Sequence, residues 1–330
     1  MYKLTVIGTV ALGMASAISA ACTNPTQRKA WSALTAAEKA EYINSTLCLM
    51  DPLQSPSISN YAGSKSIWGD LQVAHVAQVQ FIHRVGAFLP WHRWYMTVHE
   101  NLLRQQCGYT GPLPYWDEQA DEAAGPLTSA SIWGSDPATS FGTGLADANG
   151  CLVDGPFASL SYDLTANLER GAEQCLSYKL NQAQFDLAAQ DIVDSCHALE
   201  TYDDFNNCVS GSPHTSGHFA IGGTMDDVSL SPADPLFFMH HTNLDRIWWE
   251  WQSKNESRLT DMAGQNVATS TLLVSSQPKS LPESAFAPYF GDYGDVTTLD
   301  HIMWMAGIAE NITIREVMDI RSDTVCVEYV

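Results

Sequence analysis

The alternation of hydrophobic and polar positions along the chain predicts a mainly α-helical protein. Apolar residues recur three and four positions apart in four stretches, which we predict to be helices: 35–48, 69–84, 90–107 and 234–251. Thr35 and Glu38 form a capping-box pattern at the start of the first helix. Asp234 and Pro235 suit the N-cap and first position of the last helix, whose apolar and aromatic residues indicate burial on most sides.

The remaining segments lack a sustained period. Residues 109–200 and those after 254 are rich in Gly, Ser, Asp and Pro, which is typical of long loops. The exceptions are a short periodic stretch at 182–199 and a possible strand at 324–330. The chain shows no internal repeat, low-complexity tract or linker, so we expect residues 21–330 to form a single domain.

The first twenty residues are typical of a secretory signal peptide, with an early lysine, an apolar middle and small residues at the end. We therefore expect a secreted protein. All eight cysteines lie after this segment, and none belongs to a CxxC pair. Their even number predicts up to four disulfides, in a pairing that the sequence leaves open. Three N-x-S/T sequons are expected glycan sites: Asn44, Asn255 and Asn311.

The net charge of −21 narrows the range of partners. Nucleic acids and anionic membrane surfaces would be repelled by a chain of this charge, so we expect neither as a partner. The sequence does not indicate an oligomeric state.

The histidines give the strongest indication of a functional site. Two groups of three fall on or near the predicted helices: His75, His83 and His92, then His214, His218 and one of the adjacent pair His240 and His241. Adjacent helical residues point about 100° apart, so only one of the pair can face a site, and geometry does not say which. Asp245 lies four residues after His241 and is expected to hold an imidazole or a nearby backbone group.

A single core histidine is as often structural as functional, but six at these spacings would be costly to bury without hydrogen bonds or a metal. A triad of imidazoles suits Zn, Cu, Fe or Ni. The histidines outside these groups are expected to be structural or exposed, in particular His99, His197 and His301.

The residues around these histidines resemble the copper motifs of the tyrosinase and catechol oxidase family, the type-3 copper proteins. The similar stretches are His83 through FLPWHRWY, then HTSGH, then DPLFFMHHTNLDRIW, in matching order and spacing. The resemblance extends from residue 22 to about 300, and it is strongest to short fungal members that lack a C-terminal domain covering the site.

This resemblance implies a central four-helix bundle that holds two copper ions. The implied ligands are His75, His83 and His92 for copper A, and His214, His218 and His241 for copper B. It also implies a small phenolic substrate, which is oxidised from o-diphenol to o-quinone with O2 as co-substrate.

Several positions depart from the family pattern. Phe81 stands where many relatives have a cysteine bonded to the second copper A histidine, so we expect no thioether there. Thr215 follows the first copper B histidine, where good monophenol hydroxylators often have an asparagine that orients a water together with a carboxylate. Glu200 is the candidate for that carboxylate. Val228 falls at the family's gate position and leaves the entrance open, and Phe219 is expected to line its mouth.

The leading hypothesis is thus a secreted dicopper oxidase of o-diphenols and o-aminophenols. The first alternative is a full tyrosinase, which also hydroxylates monophenols. A second is a hemocyanin-like oxygen carrier, and a third is a mononuclear zinc hydrolase that uses one triad. The two complete triads and the lack of an HExxH motif count against the hydrolase.

Overall fold

The computed structural model describes residues 22–281, 292 and 295–330. The expected signal peptide, residues 1–20, lies outside the described residues. The α-helices are α1 (Ala36–Met50), α2 (Ile67–Val76), α3 (Val79–Ile82), α4 (Phe88–Cys107), α5 (Glu118–Ala124), α6 (Gln182–Phe185), α7 (Gln190–His197), α8 (Tyr202–Ile221), α9 (Leu236–Ser253) and α10 (Thr271–Ser276). The β-strands are β1 (Thr26–Ala30), β2 (Leu113–Tyr115), β3 (Ser161–Leu164), β4 (Arg170–Cys175), β5 (Ile302–Met303), β6 (Ile312–Thr313) and β7 (Val327–Tyr329).

The prediction of a mainly α-helical fold with a central bundle is confirmed. Helices α4, α8 and α9 pack against one another, and α2 joins them through aromatic contacts. Trp68 of α2 lies 4.9 Å from Phe238 of α9, measured between ring centroids. The Tyr95 hydroxyl of α4 donates to the Leu71 carbonyl of α2 at 2.6 Å. The bundle therefore buries large side chains from all four helices, and the histidines lie within it.

Local sequence signals explain most helix starts. Thr35 and Glu38 form the predicted capping box of α1. Helix α9 begins at Leu236, after the predicted Asp234–Pro235 start, and the Asp234 carboxylate accepts the Leu236 N–H at 2.9 Å. The prediction of one helix over 69–84 is wrong, because the chain is interrupted between α2 and α3. The amide of Gln78 donates to the carbonyls of Ala74 and Trp304, and its backbone leaves the helical conformation.

Outside the bundle the structure holds short elements and loops. The segment 109–200 contains β2, α5, the antiparallel pair β3–β4, α6 and α7, so it is more ordered than its composition suggested. Strand β1 pairs in parallel with β2 on one side and with β7 on the other, and β7 confirms a strand near the predicted 324–330. All eight cysteines are paired, as Cys22–Cys326, Cys48–Cys107, Cys151–Cys175 and Cys196–Cys208.

No helix among the described residues is both long enough and apolar enough to cross a membrane.

Candidate metal centre

The first histidine cluster comes from α2, the end of α3 and α4. His75, His83 and His92 each offer a ring nitrogen within 4.8 Å of the other two. Each Nδ1 is held by a backbone carbonyl oxygen at 2.8 to 3.0 Å, from Ser229, Val79 and Phe88 respectively. Because a carbonyl can only accept, Nδ1 carries the proton and Nε2 keeps a free lone pair. The Nε2 atoms of His75 and His92 are buried without a hydrogen-bond partner.

The second cluster comes from α8 and α9. It contains His214 and His218, one turn apart on α8, and the adjacent pair on α9, His240 and His241, all with ring nitrogens within 4.8 Å. His218 donates through Nδ1 to the Met225 carbonyl at 2.7 Å, and its Nε2 lies 3.2 Å from Nε2 of His241. The Nε2 of His214 is buried without a hydrogen-bond partner.

The two clusters face each other across the bundle. The rings of His92 and His241 stack with centroids 4.3 Å apart, and those of His83 and His214 stack at 6.2 Å. Phe237 packs against this centre, 4.1 Å from the His241 ring and 5.3 Å from the His75 ring.

Burial keeps these imidazoles neutral. It lowers the pKa of His83 to about 4 and holds the pKa values of the other cluster members well below their ordinary value. Neutral nitrogen donors with unshared lone pairs, converging in a buried space, are the set that copper or zinc prefers over calcium or magnesium. The residues present therefore fit a pair of copper ions, with three or more imidazoles for each.

His240 is bound differently from its neighbour. Its Nδ1 lies 2.5 Å from Oε1 of Glu118, and both side chains are fully buried. Burial lowers the pKa of His240 to about 3 and raises that of Glu118 well above its ordinary value. Gly217 explains how the pair fits, because a Cβ there would lie 2.2 Å from the His240 Nδ1. The glycine of the HTSGH stretch therefore makes room for the His240–Glu118 pair beside the cluster.

The expectation that Asp245 holds an imidazole or a nearby backbone group is wrong. Its carboxylate instead accepts hydrogen bonds from Arg28 at 2.7 Å, from Tyr329 at 2.5 Å and from the Nε of Arg93. These partners come from β1, β7 and α4, so Asp245 ties α9 to the sheet and to α4. Glu100 completes this group, which we call the Asp245 network, by pairing with Arg28 at 3.3 Å.

A cavity of about 960 Å³ opens beside the clusters and reaches His83, His214 and His218. Three residues singled out in the sequence line it: Thr215, Phe219 and Val228. The Thr215 hydroxyl donates to the Gly211 carbonyl at 2.7 Å, and the Phe219 side chain is 41 % exposed at the mouth.

Glu200 cannot be the carboxylate partner of Thr215. It is exposed and lies before the first residue of α8, whereas Thr215 lies fifteen residues further along the chain. At 1.5 Å per residue this separation is about 20 Å. No thioether forms at the first cluster either, because every cysteine is in a disulfide.

The histidines outside the clusters are structural, as expected. His99 stacks on Phe238 at 3.9 Å, His197 bonds the Ile247 carbonyl at 2.9 Å, and His301 bonds a carboxylate oxygen of Asp292 at 2.7 Å.

Two residues near the centre were not identified from the sequence. Glu118 gave a usable signal, since it is the second of two adjacent acids, after Asp117, that follow the apolar LPYW stretch. Arg84, which lines the cavity beside His83, gave none, because a single arginine at the end of a helical pattern is typical of a solvated surface.

Comparison with known proteins agrees with this geometry. Residues 65–254 match the family model described as the common central domain of tyrosinase. The chain is 31 % identical over 330 residues to the tyrosinase-like protein phomQ2 of Diaporthe leptostromiformis, covering 94 % of this chain and 74 % of that protein. It is 27 % identical over 353 residues to the N-acetyl-6-hydroxytryptophan oxidase ivoB of Emericella nidulans, covering 93 % and 92 %.

Among solved structures, a mutant polyphenol oxidase from Thermothelomyces thermophila is similar with a TM-score of 0.77 and 25 % identity, covering 93 % of this chain and 89 % of that one. Tyrosinase-family enzymes are oxidases that use two copper ions and O2, and the two histidine clusters fit that centre. The family model covers more than half of the sequence, and so this chain belongs to the tyrosinase family.

Proposed function

We propose that this chain oxidises o-diphenols to o-quinones, and o-aminophenols to quinone imines, with O2 as the oxidant. The observation that carries the proposal is the cavity that leads from solvent to His83, His214 and His218. The small side chain of Val228 lies in its wall, so a substituted benzene ring can approach both clusters. A hemocyanin-like carrier would need only O2 to enter, and an opening of this size does not serve that task.

We assign the copper ligands as His75, His83 and His92 for copper A, and His214, His218 and His241 for copper B. His241 is preferred over His240 because its ring stacks on His92 between the clusters, 4.3 Å between centroids. The resemblance to the family's copper motif also points to the second histidine of the pair. The bound copper ions would supply the redox chemistry between substrate and O2. Two o-diphenols lose four electrons and four protons in total, which reduce one O2 to two waters.

The cavity wall favours diphenols over monophenols. A monophenol must first lose a proton whose pKa is about 10, so hydroxylation needs a base at the entrance. Thr215 already donates its hydroxyl proton to Gly211, and it can therefore only accept a hydrogen bond from a water. An asparagine at this position would both donate and accept, and would hold such a water more firmly.

A substrate panel on the copper-loaded protein tests the proposal. We expect rapid O2 uptake with 4-methylcatechol and 2-aminophenol, and slow uptake with a lag for tyramine. Thr215→Asn should raise the ratio of tyramine to 4-methylcatechol turnover, and Thr215→Ser, which keeps the hydroxyl, should not. Prompt hydroxylation of tyramine by the wild type would instead indicate a full tyrosinase. Reversible O2 binding without turnover of any diphenol would indicate a carrier.

We also propose that the protein is secreted after removal of residues 1–20, as a single domain over 21–330. Four disulfides support this proposal, because disulfides form in oxidising compartments. The three sequon residues Asn44, Asn255 and Asn311 are all exposed, which is compatible with N-glycans. Mass spectrometry of the protein from culture medium, before and after glycosidase treatment, tests the cleavage site and the glycans together.

A further inference from the structure

An arginine lies at the cavity that leads to the two clusters. Arg84 directly follows His83 and lines the cavity together with His214 and His218. Its side chain is exposed, and within the described residues it has no hydrogen bond or ion pair. The guanidinium group of every other arginine in that part of the chain donates a hydrogen bond to a protein acceptor. With 37 acidic and 16 basic residues in the chain, an unpaired arginine at the entrance is not explained by the needs of folding.

The backbone of Arg84 is held in an unfavourable conformation. Its φ of 56° lies in the left-handed region, which residues other than glycine rarely adopt. Neighbouring contacts maintain it: Gln265 donates to the Arg84 carbonyl at 3.0 Å, and Gly86 donates to the Gln265 carbonyl at 2.9 Å. The Asn206 amide donates to the Val85 carbonyl at 3.0 Å. Strain that is maintained in this way concentrates at functional sites, so the position of Arg84 calls for a functional explanation.

The cavity also contains two acidic residues, and their surroundings differ. Asp227 is already used by the fold, because its carboxylate accepts the backbone N–H groups of Ser229 and Leu230 at 2.8 and 2.9 Å. Asp226 lies at the border with a second pocket, which Lys179 lines. Neither acid pairs with Arg84 among the described residues, so its guanidinium is available to a ligand beside His83.

We propose that Arg84 selects o-diphenols whose side chain carries a carboxylate, of which 3-(3,4-dihydroxyphenyl)propanoate is a simple example. This inference rests on the proposed diphenol oxidation and names its substrate class. The planar guanidinium offers paired N–H donors to a carboxylate, which a lysine cannot reproduce. Arg84 acts at the end of the substrate remote from the reacting oxygens, so it is a specificity-determining residue.

The test compares three catechols on copper-loaded protein: the propanoate as anion, 4-methylcatechol as neutral ring and dopamine as cation. Arg84→Gln should lower the ratio of kcat/KM for the anion to that for the neutral ring by roughly threefold to tenfold, the range of a partly exposed charge-assisted hydrogen bond. The loss should appear in KM, since the contact is the same in the ground and transition states. Added salt should reduce the wild-type preference.

Two further variants serve as controls. Arg84→Lys keeps the charge and should retain part of the preference. Arg321→Gln removes one positive charge at an exposed ion pair with Asp319, neither residue of which lines the cavity, and should leave the ratio at its wild-type value. An unchanged ratio in Arg84→Gln, an equal fall in Arg321→Gln, or a wild-type preference for dopamine would each overturn the inference.

Calorimetric binding of the same catechols to the copper-free protein gives a readout that does not depend on turnover. The propanoate should bind more tightly than 4-methylcatechol to the wild type, and this difference should shrink in Arg84→Gln. If no catechol is oxidised but this binding pattern holds, the proposed reaction fails and the role of Arg84 stands. If 4-methylcatechol is oxidised but the binding difference is absent, the reaction stands and the role of Arg84 fails.

Discussion

Replacing Asp245 with asparagine should destabilise the fold without emptying the metal centre. The substitution keeps the size of the side chain but removes the charge that two buried arginines share. Arg28 retains Glu100 at 3.3 Å, whereas Arg93 loses its carboxylate partner among the described residues. Arg93 would keep only neutral acceptors and the face of Trp248, 3.7 Å from its guanidinium carbon.

The expected loss of unfolding free energy follows from the burial of the two arginines. Both arginine side chains are 0 % exposed, so the unpaired charge cannot turn to solvent. Removing one partner of a buried ion pair costs about 3–5 kcal/mol. Because Arg28 keeps a second carboxylate, we expect Asp245→Asn to lower the free energy of unfolding by about 3 kcal/mol, the lower end of this range.

Equilibrium unfolding in urea, on copper-free protein with intact disulfides, measures this cost without the contribution of bound metal. Asp300→Asn is the matched control, since Asp300 also pairs with an arginine at 2.7 Å but is 69 % exposed. Exposed pairs contribute less than about 1 kcal/mol. The two variants therefore separate the effect of burial from the effect of the substitution.

Copper content gives the second half of the test. No described contact joins Asp245 to an imidazole, so the folded variant should bind the same amount of copper as the wild type. The reasoning is refuted if Asp245→Asn and Asp300→Asn are equally stable, or if Asp245→Asn loses copper while its stability is unchanged.

Two further predictions concern Gly217 and Asp234. Gly217→Ala should reduce copper binding at the second cluster, because its Cβ would lie 2.2 Å from the His240 Nδ1. Gly211→Ala on the same helix meets open space, so it should leave copper binding unchanged and the stability of the fold unchanged or slightly raised. Equal copper content in the two variants would contradict this prediction. Burial raises the pKa of Asp234 to about 7, above its value of about 3.9 in unfolded chains. The protonated carboxyl therefore contributes to the stability of the fold below about pH 4, and this contribution is lost as pH rises through 7. Asp234→Asn should therefore show a smaller fall in unfolding free energy between pH 5 and 8 than the wild type, and an equal fall would argue against this origin.

Sequence reasoning succeeded where a signal is local. The capping box of α1 and the start of α9 are each contained within one segment. The histidine groups span several helices, and their number and their resemblance to the family's copper motifs predicted the clusters that the structure brings together. The break between α2 and α3 was missed because apolar periodicity continues across it. It depends on a hydrogen bond from Gln78 to Trp304, 226 residues away.

Contacts between distant segments account for the other differences. Asp245 lies 217 residues from Arg28 and 152 from Arg93, and a helical pattern cannot distinguish these partners from a nearby imidazole. Glu118 and His240 are separated by 122 residues. Position on a helix face was thus predictable, but the partner that a buried polar side chain finds across the fold was not.

Copper content in the two variants of the adjacent histidine pair tests the central claim most directly. The wild type should hold close to two copper ions per chain, magnetically coupled and nearly silent in electron paramagnetic resonance. His241→Ala should hold about one, now visible in the spectrum, and should not oxidise 4-methylcatechol, while His240→Ala should keep more copper than His241→Ala. A wild type with a single copper ion, or loss of copper from His240→Ala alone, would contradict a dicopper centre built from the two clusters with His241 as a ligand.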